Sequence, residues 1–180
     1  MDEKQQIQKT LKGDTSAFGY FVDRYQDMAL TIAYRVCKNM QDAEDIVQDS
    51  FMKAYHNLHA FKTDSKFSTW LYSIVYNTAK TAVSRQVQYV DYEQVDENEM
   101  YSDFDTMRHI EETEMKALLD AALDKMPLDE SVILSLYYLE ENPAREIAKI
   151  LGLTESNVKV KLHRARKRMH AIMTKLIMQY

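Results

Sequence analysis

The chain has 180 residues, 46% of them hydrophobic, and a formal net charge of −5, so it can bury one core or two small ones. Its three glycines and two prolines provide few turn-forming residues for a multi-stranded sheet. The composition therefore disfavours sandwich and barrel folds and predicts an all-α protein.

Cysteine usage and hydropathy exclude further classes. Cys37 is the only cysteine, so the chain has neither an intramolecular disulfide nor a cysteine-based zinc framework. The N-terminal stretch MDEKQQIQK does not read as a signal peptide, and the best apolar run, residues 132–139, is interrupted by a serine and is too short to cross a bilayer. We therefore expect a soluble, cytoplasmic protein without membrane insertion.

The first predicted helix follows Gly13 and Asp14, where Asp14 can act as the N-cap. Its apolar residues recur at intervals of three and four, which indicates a long core helix. These residues are Phe18, Phe21, Val22, Tyr25, Met28, Ile32 and Val36.

The second predicted helix, DAEDIVQDSFMKAYHNL, has one stripe for the core and one acidic face. The core stripe consists of Ala43, Val47, Ser50, Phe51, Ala54 and Leu58. The acidic face carries Asp42, Asp45 and Asp49, with Glu44 and Gln48 as a second polar row. Ile46 sits within this face, and an apolar residue ringed by carboxylates indicates the centre of a protein interface. A solvated surface is the alternative.

The third segment begins with the polar loop FKTDSKF, after which Ser68 can cap a helix that starts at Thr69. One predicted face carries Trp70, Ser73, Asn77, Lys80 and Thr81, and the predicted buried face carries Leu71, Val75, Ala79 and Ala82. Aromatic side chains beside lysines and amides suit stacking and hydrogen bonding to unpaired bases. Core packing of the aromatics is the alternative.

An acidic stretch separates this segment from the next. Between residues 86 and 115, Arg108 is the only basic residue against ten acids, and the stretch from Gln86 to Thr106 has no sustained apolar period. We therefore expect a flexible, acidic linker between two small helical domains.

The segment from Arg145 to Arg168 predicts a helix-turn-helix. Ala148 allows close helix approach, Gly152 can adopt the left-handed conformation of the turn, and Val158 anchors the second helix. Thr154 is the predicted N-cap of that second helix. Asn142 is predicted to cap the first helix, with Pro143 at its first position.

The second helix of this motif has an apolar stripe and a basic side. The stripe consists of Val158, Leu162, Ala165, Met169, Ile172 and Leu176. Between Thr154 and Lys175 there are seven basic residues and one acid, Glu155, in a chain that is acidic overall. This asymmetry indicates a polyanionic partner, namely DNA, for this end of the chain; a solvated basic face is the alternative.

The chain resembles the extracytoplasmic-function (ECF) group of the sigma-70 family of bacterial transcription initiation factors. The resemblance rests on DAEDIVQDSFMKAY, FKTDSKFSTWLYSIVYNTAK, the acidic stretch and PLDESVILSLYYLEENPAREIAKILGLTESNVKVKLHRARKRM, in that order. It implies a region-2-like domain over 1–86, a linker over 87–108 and a region-4-like helix-turn-helix domain over 109–180. The implied function is to direct core RNA polymerase to promoters without catalysis or a cofactor.

The resemblance also implies partners and contact residues. The partners are the beta-prime clamp helices and the beta subunit of core polymerase, promoter DNA, and an anti-sigma factor. The implied contacts to the clamp helices are Glu44, Asp45, Gln48 and Asp49. The implied contacts to minus-ten DNA, including a base flipped from the non-template strand, are Phe61, Lys62, Asp64, Ser65, Lys66, Trp70, Asn77 and Lys80.

For the minus-thirty-five element, the matching base-reading positions are Ser156, Asn157, Lys159, Val160, His163 and Arg164. The implied phosphate contacts are Lys161, Arg166, Lys167 and Arg168. Val160 stands where many relatives have serine, which suggests an apolar contact with a thymine methyl group.

Three alternatives stay open at this stage. A helix-turn-helix repressor would dimerise through Leu118, Leu119, Ala122, Ile133, Leu134 and Leu136, and a helical adaptor would bind polymerase without opening DNA. An enzyme is disfavoured, because His56 and His59 lack the further ligands that would complete a metal site.

Tyr137, Tyr138 and Leu139 are expected to be core residues, with an inhibitor-binding surface as the alternative.

Overall fold

The structure is a computed structural model that describes residues 2–62, 65–86 and 112–178. Within these ranges every regular element is helical, which confirms the predicted fold class. Asp64 and the predicted linker 87–108 lie outside the described residues. The α-helices are α1 (Glu3–Leu11), α2 (Gly19–Cys37), α3 (Met40–His56), α4 (Phe67–Gln86), α5 (Glu112–Asp124), α6 (Leu128–Tyr138), α7 (Ala144–Leu151) and α8 (Glu155–Met178).

The first half of the chain is built around α2, which packs against both α3 and α4. Asp14 is an N-cap as predicted, since its Oδ1 accepts a hydrogen bond from the Ser16 backbone N–H at 3.1 Å. The helix that it caps is a short 3₁₀ helix, Thr15–Phe18, which continues into α2. The predicted core helix is therefore confirmed, with a tighter first turn than expected.

The predicted role of Ile46 on α3 is wrong. Ile46 is only 6% exposed and belongs to the core, so it does not lie at the centre of an acidic interface. Ala43, Ile46 and Ser50 are spaced by three and four residues and share the buried side of α3. Val47, by contrast, is only partly buried. The buried side of α3 is thus rotated from the predicted stripe, away from Val47 and toward Ile46.

The start of α4 also differs from the prediction. The helix begins at Phe67, so Ser68 lies in its first turn and does not cap a helix starting at Thr69. Phe67 is buried, and its ring centre lies 4.1 Å from that of Phe21 on α2. This aromatic contact anchors the first turn of α4 to the core. Further along, Leu71, Val75 and Ala79 are buried as predicted.

The second half of the chain contains the predicted helix-turn-helix in α7 and α8. Gly152 has a φ of +66°, and the Thr154 Oγ1 accepts a hydrogen bond from the Asn157 backbone N–H at 3.2 Å. Ala148 and Val158 are buried at the helix contact. The turn residue, the cap and the packing residues are all confirmed.

The predicted cap of α7 is wrong. The helix begins at Ala144, and Pro143 is the N-cap with an extended ψ of 154°. Asn142 makes no side-chain cap hydrogen bond; its backbone N–H donates to the carbonyl of Leu136 at 3.1 Å. Residue 142 therefore closes the turn after α6 and leaves the proline as the boundary of α7.

The two halves pack directly against each other. Helix α4 contacts α7, and α2 contacts α6. Buried apolar residues from both halves form one continuous cluster, which includes Ile32 and Leu71 from the first half and Ile133 and Ile147 from the second. Regions that were predicted as separate domains thus share a core in this structure.

Candidate protein and nucleic-acid interfaces

The acidic face of α3 is available to a partner. Glu44, Asp45, Gln48 and Asp49 are all exposed, and they divide between the two sides of the helix. Two surface grooves run along these sides, with Glu44 and Gln48 bordering a groove of about 540 Å³ next to α2. Asp45 and Asp49 border a groove of about 800 Å³ between α3 and α4.

The groove between α3 and α4 brings together several residues predicted to contact minus-ten DNA. Trp70 and Asn77 line it, and the half-buried Phe61 has its ring centre 5.2 Å from that of Trp70. The remaining predicted contacts differ in exposure. Lys62, Lys66 and Lys80 are exposed and Ser65 is half-buried, while Asp64 lies outside the described residues.

The same groove contains residues that no sequence motif indicated. Lys53 and Asn57 line it from α3 and its C-terminal end, and Thr78 lines it from α4. The Lys53 ammonium lies 2.7 Å from an Asp49 carboxylate oxygen and donates to the Thr78 hydroxyl at 3.3 Å. The four-residue spacing of Asp49, Lys53 and Asn57 places them on one helix face, which is the signal that could have identified them.

The base-reading positions of α8 form an exposed face. Ser156, Asn157, Lys159, Val160, His163 and Arg164 are all exposed, and Val160 retains 50% exposure although it is apolar. Glu155 pairs with Lys159 at 2.6 Å, and this hydrogen bond lowers the pKa of the Glu155 carboxyl. The opposite side of α8 is held to the core by the buried residues Val158, Leu162 and Ala165.

The predicted phosphate contacts are not equivalent in the structure. Lys161 pairs with Asp129 at 3.1 Å, and Arg168 pairs with Glu130 at 2.9 Å. Both acids lie in the first turn of α6. Two of the basic residues predicted to contact phosphates therefore have carboxylates within the chain as their partners.

Arg166 is held by tyrosines at the other end of α6. Its guanidinium lies 5.0 Å from the ring centre of Tyr137, and its Nε donates to the Tyr138 hydroxyl at 2.9 Å. The hydrogen bond to Tyr138 raises the pKa of Arg166. Tyr138 and Leu139 are 57% and 58% exposed, so the expectation that they are core residues is wrong. Only Tyr137 packs partly against the core.

The residues proposed for a repressor dimer are buried inside this chain. Leu118, Ala122, Ile133, Leu134 and Leu136 are in its own core, and only Leu119 is exposed. Dimerisation through these side chains would require the chain to unfold locally.

In the ranges that the structure describes, no group of three or more His, Cys, Asp or Glu side chains is arranged to hold a metal ion. None of the described helices combines the length and the apolar character that crossing a membrane requires.

Comparisons with known proteins agree with this architecture. The family model for sigma-70 region 2 matches residues 21–88, and that for sigma-70 region 4 matches residues 116–169. The ECF RNA polymerase sigma factor SigW of Bacillus subtilis is 32% identical over 173 residues, covering 91% of this chain and 92% of SigW. The ECF RNA polymerase sigma-E factor of Escherichia coli K12 is 30% identical over 170 residues, covering 89% and 88%.

Two solved structures share the fold. CnrH in complex with the cytosolic domain of CnrY has a TM-score of 0.68 at 22% identity, covering 96% of this chain and 97% of CnrH. The sigma factor RpoE in complex with the anti-sigma factor NepR from Bartonella quintana has a TM-score of 0.67 at 20% identity, covering 87% and 96%. On the family matches and the relatives together, the chain belongs to the sigma-70 family and is an ECF sigma factor, a subunit that directs RNA polymerase to promoters.

Proposed function

We propose that the two halves of this sigma factor divide promoter recognition between them: α3 and α4 contact polymerase and the minus-ten element, and α8 reads the minus-thirty-five element. The observation that carries the proposal is the exposed reading face of α8 on a complete helix-turn-helix, opposite a buried apolar stripe. We assign the first role to residues 1–86 and the second to residues 109–180, with 87–108 as the linker.

The acidic face of α3 supports the assignment of polymerase binding. Exposed carboxylates at Glu44, Asp45 and Asp49 would meet a basic surface, as the family resemblance implies for the beta-prime clamp helices. Gln48 adds a neutral hydrogen-bonding group between them. The apolar groove next to α2 lies along the same side as Glu44 and Gln48, so a partner helix could bury apolar area there as well.

The Phe61–Trp70 pair supports a role in DNA opening. An unpaired base gains about 1 to 3 kcal/mol by stacking on an aromatic side chain, which offsets a cost of a few kcal/mol for leaving the duplex. Both rings are half-buried, so each keeps part of its surface accessible to a base. Asn77 lines the same groove as Trp70 and provides amide groups for a base edge.

We further propose an anti-sigma partner. Of the two solved proteins with the same fold, RpoE has the anti-sigma factor NepR bound, and CnrH has the cytosolic domain of CnrY bound. On this chain, the exposed Tyr138 and Leu139 provide apolar surface beside the DNA-reading helix. A protein that covers them would approach Arg166, which α6 holds at the edge of that surface. We place the protein in the cytoplasm, where its polymerase and promoters are.

Transcription with purified core polymerase tests the proposal. A pool of genomic fragments from the source organism is transcribed with core enzyme alone, with core and the chain, and with core and a W70A/R164A variant. We expect discrete run-off products only with the parent chain. A chain that binds core tightly but gives no product above the core-only reaction is an adaptor, and that result would contradict the proposal.

A further inference from the structure

The first turn of α6 contacts one flank of the recognition helix α8. Asp129 and Glu130 both lie in that turn. Asp129 accepts a hydrogen bond from the Lys161 ammonium at 3.1 Å, and Glu130 accepts one from Nε of Arg168 at 2.9 Å. Lys161 and Arg168 are seven residues apart, which is close to two turns, so they lie on the same flank of α8. We call these two ion pairs the flank pairs.

The flank pairs are shielded from solvent more than ordinary surface ion pairs. The side chains of Glu130 and Arg168 are 11% and 25% exposed, and Asp129 and Lys161 are half-buried. Opposite charges attract more strongly, and salt screens them less, where solvent is partly excluded. Moving Arg168 to a phosphate would also leave a buried carboxylate without its cation. Leaving the flank pairs therefore costs more than it costs an exposed cation to bind DNA.

The opposite flank of α8 is held without loss of charge. Arg166 is two residues before Arg168, which places it about 200° around the helix. Its guanidinium contacts Tyr137 and Tyr138 at the last turn of α6, and both partners are neutral side chains. The two ends of α6 thus act differently on the recognition helix. The first turn cancels positive charge, whereas the last turn only orients it.

The flank pairs reduce the charge that α8 presents to DNA. Between Thr154 and Lys175 there are seven basic residues and one acid, and the carboxylates of α6 neutralise two of the seven. Non-specific binding to DNA depends almost entirely on such charges, and each neutralised phosphate adds about 0.9 to the slope of log affinity against log salt. Base readout depends instead on side chains that reach base edges.

An added cation helps non-specific complexes more than specific ones. In a specific complex the base contacts hold α8 in one register, so a cation on its flank gains only if a phosphate lies beside it there. A non-specific complex can adopt whichever register brings that cation to a phosphate. Cancelling the charges of Lys161 and Arg168 should therefore weaken non-specific binding more than promoter binding.

Granted the proposed reading role of α8, on which this inference rests, we propose that Asp129 and Glu130 are specificity-determining residues. By holding Lys161 and Arg168, they keep sequence-independent DNA binding weak relative to recognition of the minus-thirty-five element. Two of the four predicted phosphate contacts then have their role inside the protein.

Binding of the full chain to a pool of random-sequence duplex DNA tests the proposal. E130Q keeps the size of the side chain and removes its charge, and D23N makes the same change of charge at an exposed acid of α2. At about 0.1 M salt, we expect E130Q to bind the pool about 3- to 8-fold more tightly than the parent, with a slope against log salt that is steeper by about 1. D23N should match the parent. Sequencing of the bound DNA should show weaker enrichment of preferred sequences by E130Q.

A double variant identifies the cation that causes the gain. E130Q/R168Q removes the charge of Arg168 as well, so its affinity for the pool should return to the parent value, with unchanged helix content by circular dichroism. A gain that E130Q/R168Q retains would overturn the proposal, because the extra affinity would then come from elsewhere.

D129N tests the other flank pair and does not depend on the folding of E130Q. It removes the charge that holds Lys161, while the amide oxygen can still accept the hydrogen bond from Tyr76. We expect tighter binding to the pool here too. A gain in neither D129N nor E130Q would overturn the proposal. A parent chain that binds the pool without enriching any sequence would instead contradict the reading role of α8, and the comparison of affinities would still hold.

Discussion

Lys161 of the recognition helix donates to the carboxylate of Asp129 at 3.1 Å, so a basic residue on the DNA-binding helix has its partner inside the protein. Lys167, further along the same helix, is exposed. The positive charge of α8 is therefore divided between side chains that fix the helix against α6 and side chains that face solvent. This division predicts which substitutions change DNA affinity.

We expect K167A to weaken binding to all DNA sequences alike and to reduce the slope of log affinity against log salt by about 1, because one phosphate contact is lost. K161A should change the slope less, since Asp129 already neutralises that charge. Fluorescence anisotropy with duplex DNA at several salt concentrations measures both slopes. Equal slope changes for the two variants would show that Lys161 leaves Asp129 to bind phosphate.

Arg164 is expected to read a base. It is exposed on the face opposite the apolar stripe, where an arginine can donate two hydrogen bonds to guanine. We predict that R164A costs about 1 to 3 kcal/mol on the preferred sequence and changes the ranking of single-base variants of the minus-thirty-five element. Binding across a library of such variants provides the measurement, with K167A as the matched control. An unchanged ranking would reassign Arg164 to the phosphate backbone.

Trp70 is predicted to act in DNA opening. W70A should lower the formation of open complex by roughly 5- to 150-fold, equivalent to 1 to 3 kcal/mol of lost base stacking. W70F keeps an aromatic ring and should lose less. Permanganate reactivity of promoter thymines reports the opening. A template already mismatched over the minus-ten region should restore open-complex formation by W70A. If W70A stays defective on that template, the tryptophan only supports the packing of Phe61 and Phe67.

The acidic face of α3 is expected to determine polymerase affinity. Charge reversal in D45K/D49K would place like charges against a basic surface and should weaken retention by core enzyme by at least an order of magnitude. The control variant D23K/E114K reverses two exposed acids outside this face. Pull-downs at moderate salt compare the two. Equal retention of D45K/D49K and the control would remove α3 from the interface.

Gly152 offers a test of the turn in the helix-turn-helix. Its φ is +66°, and nothing lies within 4 Å of a Cβ added there, so G152A should cost about 1 to 2 kcal/mol of folding free energy from backbone strain alone. Gly19 has equal space but a helical φ of −53°, so G19A should be neutral or stabilising. Urea unfolding of both variants measures the difference. Equal stabilities would mean that the turn relaxes to a different conformation.

Local sequence rules predicted the helix-turn-helix well. The left-handed conformation of Gly152, the cap at Thr154 and the burial of Val158 each follow from neighbouring residues, and all three are observed. Helix α1 was missed, because its buried residues, Gln6 and Thr10, are polar and leave no apolar period to detect.

Positions that depend on packing were less predictable. Ile46 could be assigned to either side of α3, because the sequence places Val47 and Ile46 on neighbouring stripes and only the contacts with other helices select one. The same limit applies to the ion pair between the two halves. Arg35 and Asp120 are 85 residues apart in sequence, and no local pattern pairs a donor with a carboxylate over that separation.

Mapping of transcript 5′ ends tests the central claim most directly. Core polymerase reconstituted with the parent chain transcribes a genomic fragment pool, and the 5′ ends of the RNA are sequenced beside those made by core alone. We predict new start sites that share two upstream elements, the nearer one read by α4 and its preceding loop and the farther one by α8. R164A should change the preferred sequence of the farther element only. W70A should lower initiation at all of these sites. Start sites identical to those of core alone, or new ones with no shared upstream sequence, would contradict the assignment of this chain as a promoter-specific sigma factor.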